Sequence, residues 1–220
     1  MKNLLIRNLK LRKWTIVIYA ILLLFSPLQL IIIPNSIFTN ALYSAVAMIL
    51  LFVSILDSGH VFRFNSKLGH RMAYDFFGSL PVSKKSLLNA NYLTVIIFTL
   101  VGAAILSLYT MPNSHVSTSN IDFNISMPFS YIAVNFFAVP IAFKKYTEQK
   151  SDYISYIIYL LTMVILIPVI IVLLVVGICT LFNYSLGILN YFETIFNYGF
   201  LTLSIFCFVA SYIIQYKKLI

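Results

Sequence analysis

"FSYIAVNFFAVPIAF", residues 129–143, runs fifteen residues without a charge but carries Asn135 and Pro140. At 1.5 Å per residue it reaches about 22 Å, short of a hydrocarbon core about 30 Å thick. Whether it crosses decides the topology of the rest. Five other apolar blocks, 14–33, 37–56, 91–109, 155–182 and 195–215, are long enough to span on their own. Only Pro34, Asn35 and Ser36 separate the first two, which reads as a tight hairpin. The composition agrees: 61% of residues are hydrophobic and 10% charged, against about 25% charged in soluble domains.

The cations settle the short block. Lys2, Arg7, Lys10, Arg12 and Lys13 precede the first block, and Arg63, Lys67, Arg71, Lys84 and Lys85 lie between the second and third. Lys144, Lys145 and Lys150 follow 129–143, and Lys217 and Lys218 follow the last block. The connections 34–36, 110–128 and 183–194 hold no Lys or Arg, only Asp122 and Glu193. If 129–143 crosses, all 15 cations fall on one side, which the excess of Lys and Arg marks as cytoplasmic. If it does not, the last two cationic clusters are stranded outside. The expectation is therefore an all-α, polytopic chain: a single transmembrane domain over 1–220 with six spans and both termini in the cytoplasm. Asp57, Asp75, Glu148 and Asp152 share the cationic side, leaving +11 there and −2 opposite, which together make the net +9.

That asymmetry explains the basic balance by topology and anionic lipid, so nucleic acid is not an expected partner. The start, "MKNLLIRNLKLRK", resembles a signal peptide, but its 20-residue apolar continuation and missing small-residue cleavage site predict an anchor. Cys179 and Cys207 fall inside predicted spans and read as small apolar side chains, and no Cys/His ligand spacing points to a metal. His60, His70 and His115 read as interfacial side chains, and no hydrolase or metalloprotease motif occurs. No acidic, basic or histidine residue lies inside any of the six blocks, which argues against an ion-coupled transporter. No phosphate loop is present either, so any uphill work must be driven by another protein.

A docking surface for such a protein belongs on the cytoplasmic side, where 57–90 is the one long connection. Residues 65–77 read as a short amphipathic helix, with Leu68, Met72 and Phe76 every four residues and Lys67, His70, Arg71 and Tyr74 opposite. Gly78 suits a helix stop. Pro81 drives Leu80 out of helical geometry, and Ser83 suits an N-cap with Val82 and Leu87 at staple spacing. A helix starting there runs straight into the third span. One reading makes this a lever. The other makes it a lipid anchor, with Lys84 and Lys85 on phosphates.

"SLPVSKKSLLNANYL" (79–93) resembles the segment that precedes the third span in small six-span membrane subunits of type-2 ATP-binding-cassette exporters. "VPIAFKKYTEQKSDYIS" (139–155) and the terminal "ASYIIQYKKLI" are similar to that family's later patterns, while Ser86 and Asn89 depart from it. The resemblance implies a non-catalytic permease that pairs with a second six-span subunit, a copy or a relative, over two ABC ATPase subunits. ATP and Mg would be bound by those ATPases, with no cofactor on this chain. It implies further that 57–90 carries the coupling helix, with Leu68, Met72, Phe76, Leu80, Pro81, Val82, Ser83, Lys84 and Lys85 in or beside the ATPase contact.

Outside, "NYSLGILNYFET" (183–194) is unusually apolar for a loop: as a solvated loop it leaves its large apolar side chains uncovered, and the preferred reading is a re-entrant helical pair. Its Leu186, Ile188, Leu189, Tyr191 and Phe192 are the candidate outer gate, with Pro168 and Gly177 offering a kink nearby. Spans without charge suit amphipathic peptides or lipid-like molecules. The resemblance extends to staphylococcal exporters of phenol-soluble modulins and of antimicrobial peptides in the bacterial cytoplasmic membrane. A non-transporting regulatory or scaffold protein, and a membrane-embedded enzyme, are the alternatives left by the residues themselves.

Overall fold

Punctuating residues set the helix limits. In the computed structural model, residues 2–28, 37–63, 82–109, 126–142, 156–182 and 192–219 are described, and every regular element among them is helical. In chain order these are α1 (Lys2–Leu11), α2 (Lys13–Phe25), α3 (Ile37–Asp57), α4 (His60–Arg63), α5 (Lys84–Ser107), α6 (Ser126–Ala142), α7 (Tyr156–Leu181) and α8 (Phe192–Lys217). α5, α7 and the Phe196–Lys217 part of α8 are each long and apolar enough to cross a bilayer. Lys13–Phe25, Leu42–Asp57 and Tyr131–Ala142 are apolar but shorter.

The first helix of the expected hairpin is interrupted inside its apolar block. α2 runs to Phe25 and passes into a turn at 26–27, after which Leu28 is helical again. Pro27 is the physical reason: it has no N–H to donate and its ring crowds the carbonyl four residues back. α5, by contrast, begins where the N-cap was expected. Ser83 is extended (φ −65°, ψ 136°), and its side chain accepts from the Ser86 N–H at 3.2 Å.

α6, the short stretch, lies at the centre. From 131 onward Tyr131, Ala133, Val134, Asn135, Phe136, Ala138, Val139 and Ala142 are buried. It packs between α5 and α8, with Tyr92 and Phe136 both meeting the Phe208 ring, at 5.1 and 4.7 Å between centroids. A helix enclosed on all sides needs no polar stripe, and its one amide, Asn135, donates back to the Tyr131 carbonyl at 3.0 Å.

α5 reaches α6 and α2 through a glycine. A methyl added at Gly102 would meet the Tyr131 hydroxyl at 2.5 Å and collide with the Tyr19 hydroxyl as well. Those hydroxyls bond each other at 2.7 Å, and Tyr19 also donates to the Phe98 carbonyl at 3.2 Å. Gly102→Ala is therefore expected to cost about 1–3 kcal/mol by overpacking. Unfolding of the variant in mixed micelles measures it.

α7 is the peripheral helix, with Tyr156, Tyr159 and Cys179 its buried residues. Tyr156 and Tyr159 anchor its first turn, Tyr159 donating to the Val134 carbonyl at 2.5 Å. Instead of a plain helix through Pro168, residues Thr162–Leu166 form a π turn, in which the Ile167 N–H bonds the Thr162 carbonyl. The wider turn takes up the register that the proline's missing donor disrupts. Cys179 is buried and Cys207 partly so, both as free thiols.

Candidate functional site

Five side chains of the first two helices make one buried stripe. Asn8, Arg12, Thr15, Tyr19 and Leu22 are each 5% exposed or less. Their spacing of four, three, four, three is the seam of a helix packed along its length. The stripe passes from α1 into α2 through Arg12, which leaves helical geometry (φ −102°, ψ 25°) while its N–H still bonds the Asn8 and Leu9 carbonyls, both at 3.1 Å. What is unusual is that its first four members are polar.

Asn8 meets the start of α5. Its amide nitrogen donates to Asn91 Oδ1 and to Thr94 Oγ1, both at 3.0 Å, and Thr94 passes its own proton to the Ala90 carbonyl at 2.6 Å. Its Oδ1 accepts from Arg7 Nε at 3.2 Å and Nη2 at 2.8 Å. The guanidinium can only donate, so the amide orientation follows. Both amide protons and both lone pairs of Asn8 are used. Burial lowers the Arg7 pKa from its ordinary value, though a guanidinium remains charged at any working pH.

One turn along, Arg12 meets the end of α3 and the start of α4. Its Nη2 donates to the Asp57 carbonyl at 2.5 Å and to His60 Nδ1 at 2.8 Å, and lies 3.4 Å from Asp57 Oδ2. The Thr15 hydroxyl donates to the same carboxylate oxygen. Because Arg12 offers only protons, His60 Nδ1 is an acceptor and this ring is the neutral Nε2–H tautomer. Its ring lies 4.9 Å from that of Phe98 of α5.

α7 closes the same corner. Tyr156 Oη stands 2.5 Å from Ser58 Oγ and donates to the Ile55 carbonyl at 3.1 Å. Between them Gly59 lies so close to the Tyr156 ring that a methyl there would meet three ring carbons at 2.6–2.8 Å. The C-terminal helix holds the other end: Tyr212 donates to Asn89 Oδ1 at 2.9 Å, and the Lys85 ammonium lies 5.2 Å over the Tyr216 ring.

Of the expected coupling residues, Val82, Ser83 and Lys84 are exposed at the start of α5, and Lys85 is half-buried on Tyr216. Leu68, Met72, Phe76, Leu80 and Pro81 lie outside the described residues, as do Leu186, Ile188, Leu189 and Tyr191 of the outer-gate set. Phe192 is the first residue of α8. The expectation that His60 is an ordinary interfacial side chain is corrected, since it is 1% exposed and bonded to Arg12. Sequence reasoning also missed the Arg12–Asp57 pair. The hairpin itself held the signal: folding the chain back about residue 35 sets residues near 12 opposite residues near 58. Among the described residues no group of three His, Cys, Asp or Glu side chains comes together.

Buried polar contacts of this kind gather several helix ends at one level. They serve to position. This agrees with the one comparison that matches: residues 3–219 fit the family model described as ABC-2 family transporter protein, so the chain belongs to that family. It is an integral membrane, non-catalytic transport subunit of an ABC transporter and works with an ABC ATPase. No curated protein and no solved structure matches the chain.

Proposed function

We infer that this chain is half of the translocation pathway of an ATP-driven exporter in the bacterial cytoplasmic membrane. It crosses six times with both termini in the cytoplasm, and a second six-span subunit completes the pathway. The exposed face of α7, with Ile158, Leu161, Ile165 and Leu173 all at least half exposed, supports such a subunit or lipid as its neighbour. The cargo is an amphipathic peptide or lipid-like molecule, because the described spans bring apolar and aromatic surface and no charge to a pathway.

The observation that carries this reading is the anchoring of 57–90. It is the only long connection on the cationic side, and both its ends are fixed by buried polar contacts to the N-terminal helices. A segment held that firmly at both ends suits the transmission of force from a docked ATPase. Residues 65–85 form the docking surface, while 183–194 close the pathway outside.

Co-expression with its partner ABC ATPase should give a stable complex that hydrolyses ATP and moves a fluorescent amphipathic peptide into vesicles. The chain alone should hydrolyse none. Lys84→Glu combined with Pro81→Gly is expected to cut cargo moved per ATP about tenfold, the effect of weakening a docking contact by about 1.4 kcal/mol. Unchanged coupling in that variant would remove 65–85 from the contact.

A further inference from the structure

The two sets of buried contacts on the N-terminal helices fall on opposite ends of one connection. Arg12 and Thr15 hold Asp57 and His60, where the chain leaves α3. Asn8 holds Asn91 and Thr94, in the second turn of α5 and beyond, where the chain returns. Asn8 and Arg12 are one turn apart and joined by the bond from the Arg12 N–H to the Asn8 carbonyl, so the two grips stand about 6 Å apart along the N-terminal segment.

We propose that α1 and the start of α2 form a clamp that fixes the two ends of the α4–α5 connection relative to each other. Asn8, Arg12 and Thr15 are then its positioning residues. Each of the three uses a polar atom that an apolar side chain of similar size would handle more cheaply against lipid or core. Burying such groups is costly unless every partner is in place. A fully satisfied amide at Asn8 and a paired guanidinium at Arg12 therefore specify one register of the two ends and penalise every other. An apolar seam would tolerate sliding. The further grips point the same way: Tyr156 on Ser58 fixes the first end to α7, and Tyr212 on Asn89 fixes the second to α8.

The functional consequence rests on the exporter reading. Displacement of the connection by an ATPase would be passed to α3, α5, α7 and α8 together instead of being absorbed by one loose end. The clamp itself is a property of the chain alone, so the two ideas fail separately.

The test is hydrogen–deuterium exchange of the full chain in lipid nanodiscs, with one variant for each grip. Asn8→Leu removes the grip on α5 and leaves Asp57 and His60 untouched. Thr15→Val, a nearly isosteric change, loosens only the grip on Asp57 and guards against a variant that fails to fold. A clamp predicts that each change accelerates exchange about tenfold at both ends, in 57–63 and in 84–94, because coupling between two sites is reciprocal. Exchange that rises only at the end directly touched would overturn the clamp and leave two local contacts. In the ATPase complex, either variant is expected to lower cargo moved per ATP while hydrolysis continues. If exchange spreads to both ends but that ratio holds, the clamp stands and its part in transport falls.

Discussion

Arg12→Met is expected to lower the stability of the folded chain by about 3–5 kcal/mol. The guanidinium is 5% exposed and its loss strands a carboxylate that is 13% exposed, leaves the Asp57 carbonyl with one donor fewer, and removes the proton given to His60. An unpaired charge at that depth is worse than no charge. The double variant Arg12→Met, Asp57→Leu should for that reason recover a large part of the loss, because an ion pair replaced by apolar neighbours of similar volume is often close to neutral. Equilibrium unfolding in mixed micelles measures both, with the chain's single tryptophan, Trp14, as a reporter two residues from the change. A loss below about 1 kcal/mol for the single variant would mean that water reaches the pair and screens it.

The second large effect belongs to the connection itself. Replacing residues 65–80 by a Gly/Ser linker of equal length is expected to leave the helices folded and weaken capture of the ATPase at least a hundredfold. That is about 2.7 kcal/mol, the weight of one or two buried anchor side chains. Retention of the complex on an affinity column reports the loss, and exchange at 57–63 and 84–94 reports whether the ends stayed in place. A complex retained at wild-type strength would place the docking surface elsewhere on the chain.

What could be read beforehand was what depends on local pattern. The N-cap at Ser83 rests on a hydroxyl three residues before an amide, and it was visible because capping is local. The helical nature of 126–142 was equally readable, since a run without charges next to a Lys-Lys pair has few other solutions. Its place at the centre of the core was less so: length made it look marginal, whereas enclosure by α5 and α8 makes length secondary. Pro27 lies inside an apolar run that reads as one block, yet its missing donor ends α2 at Phe25 however greasy the neighbours are.

The polar seam was hidden for a different reason. Asn8, Arg12, Thr15 and Tyr19 recur with the spacing of a packed stripe, but a search for apolar periodicity skips polar members, and a basic N-terminus reads first as a lipid contact. Their partners across the fold are 42 to 112 residues away, so only the tertiary arrangement shows how each one is paired. The π turn before Pro168 belongs to the same class: the proline is evident, but the way the backbone accommodates it depends on what surrounds the helix.

Orientation is what the exporter reading stands on, and one labelling measurement tests it directly. Lys84 is exposed at the start of α5, so Lys84→Cys, in a background of Cys179→Ser and Cys207→Ser, gives a single accessible thiol. A membrane-impermeant maleimide should label it in inverted vesicles and leave it unmodified in intact cells. Labelling in intact cells would put the seam, the clamp and the ATPase dock on the wrong face of the membrane.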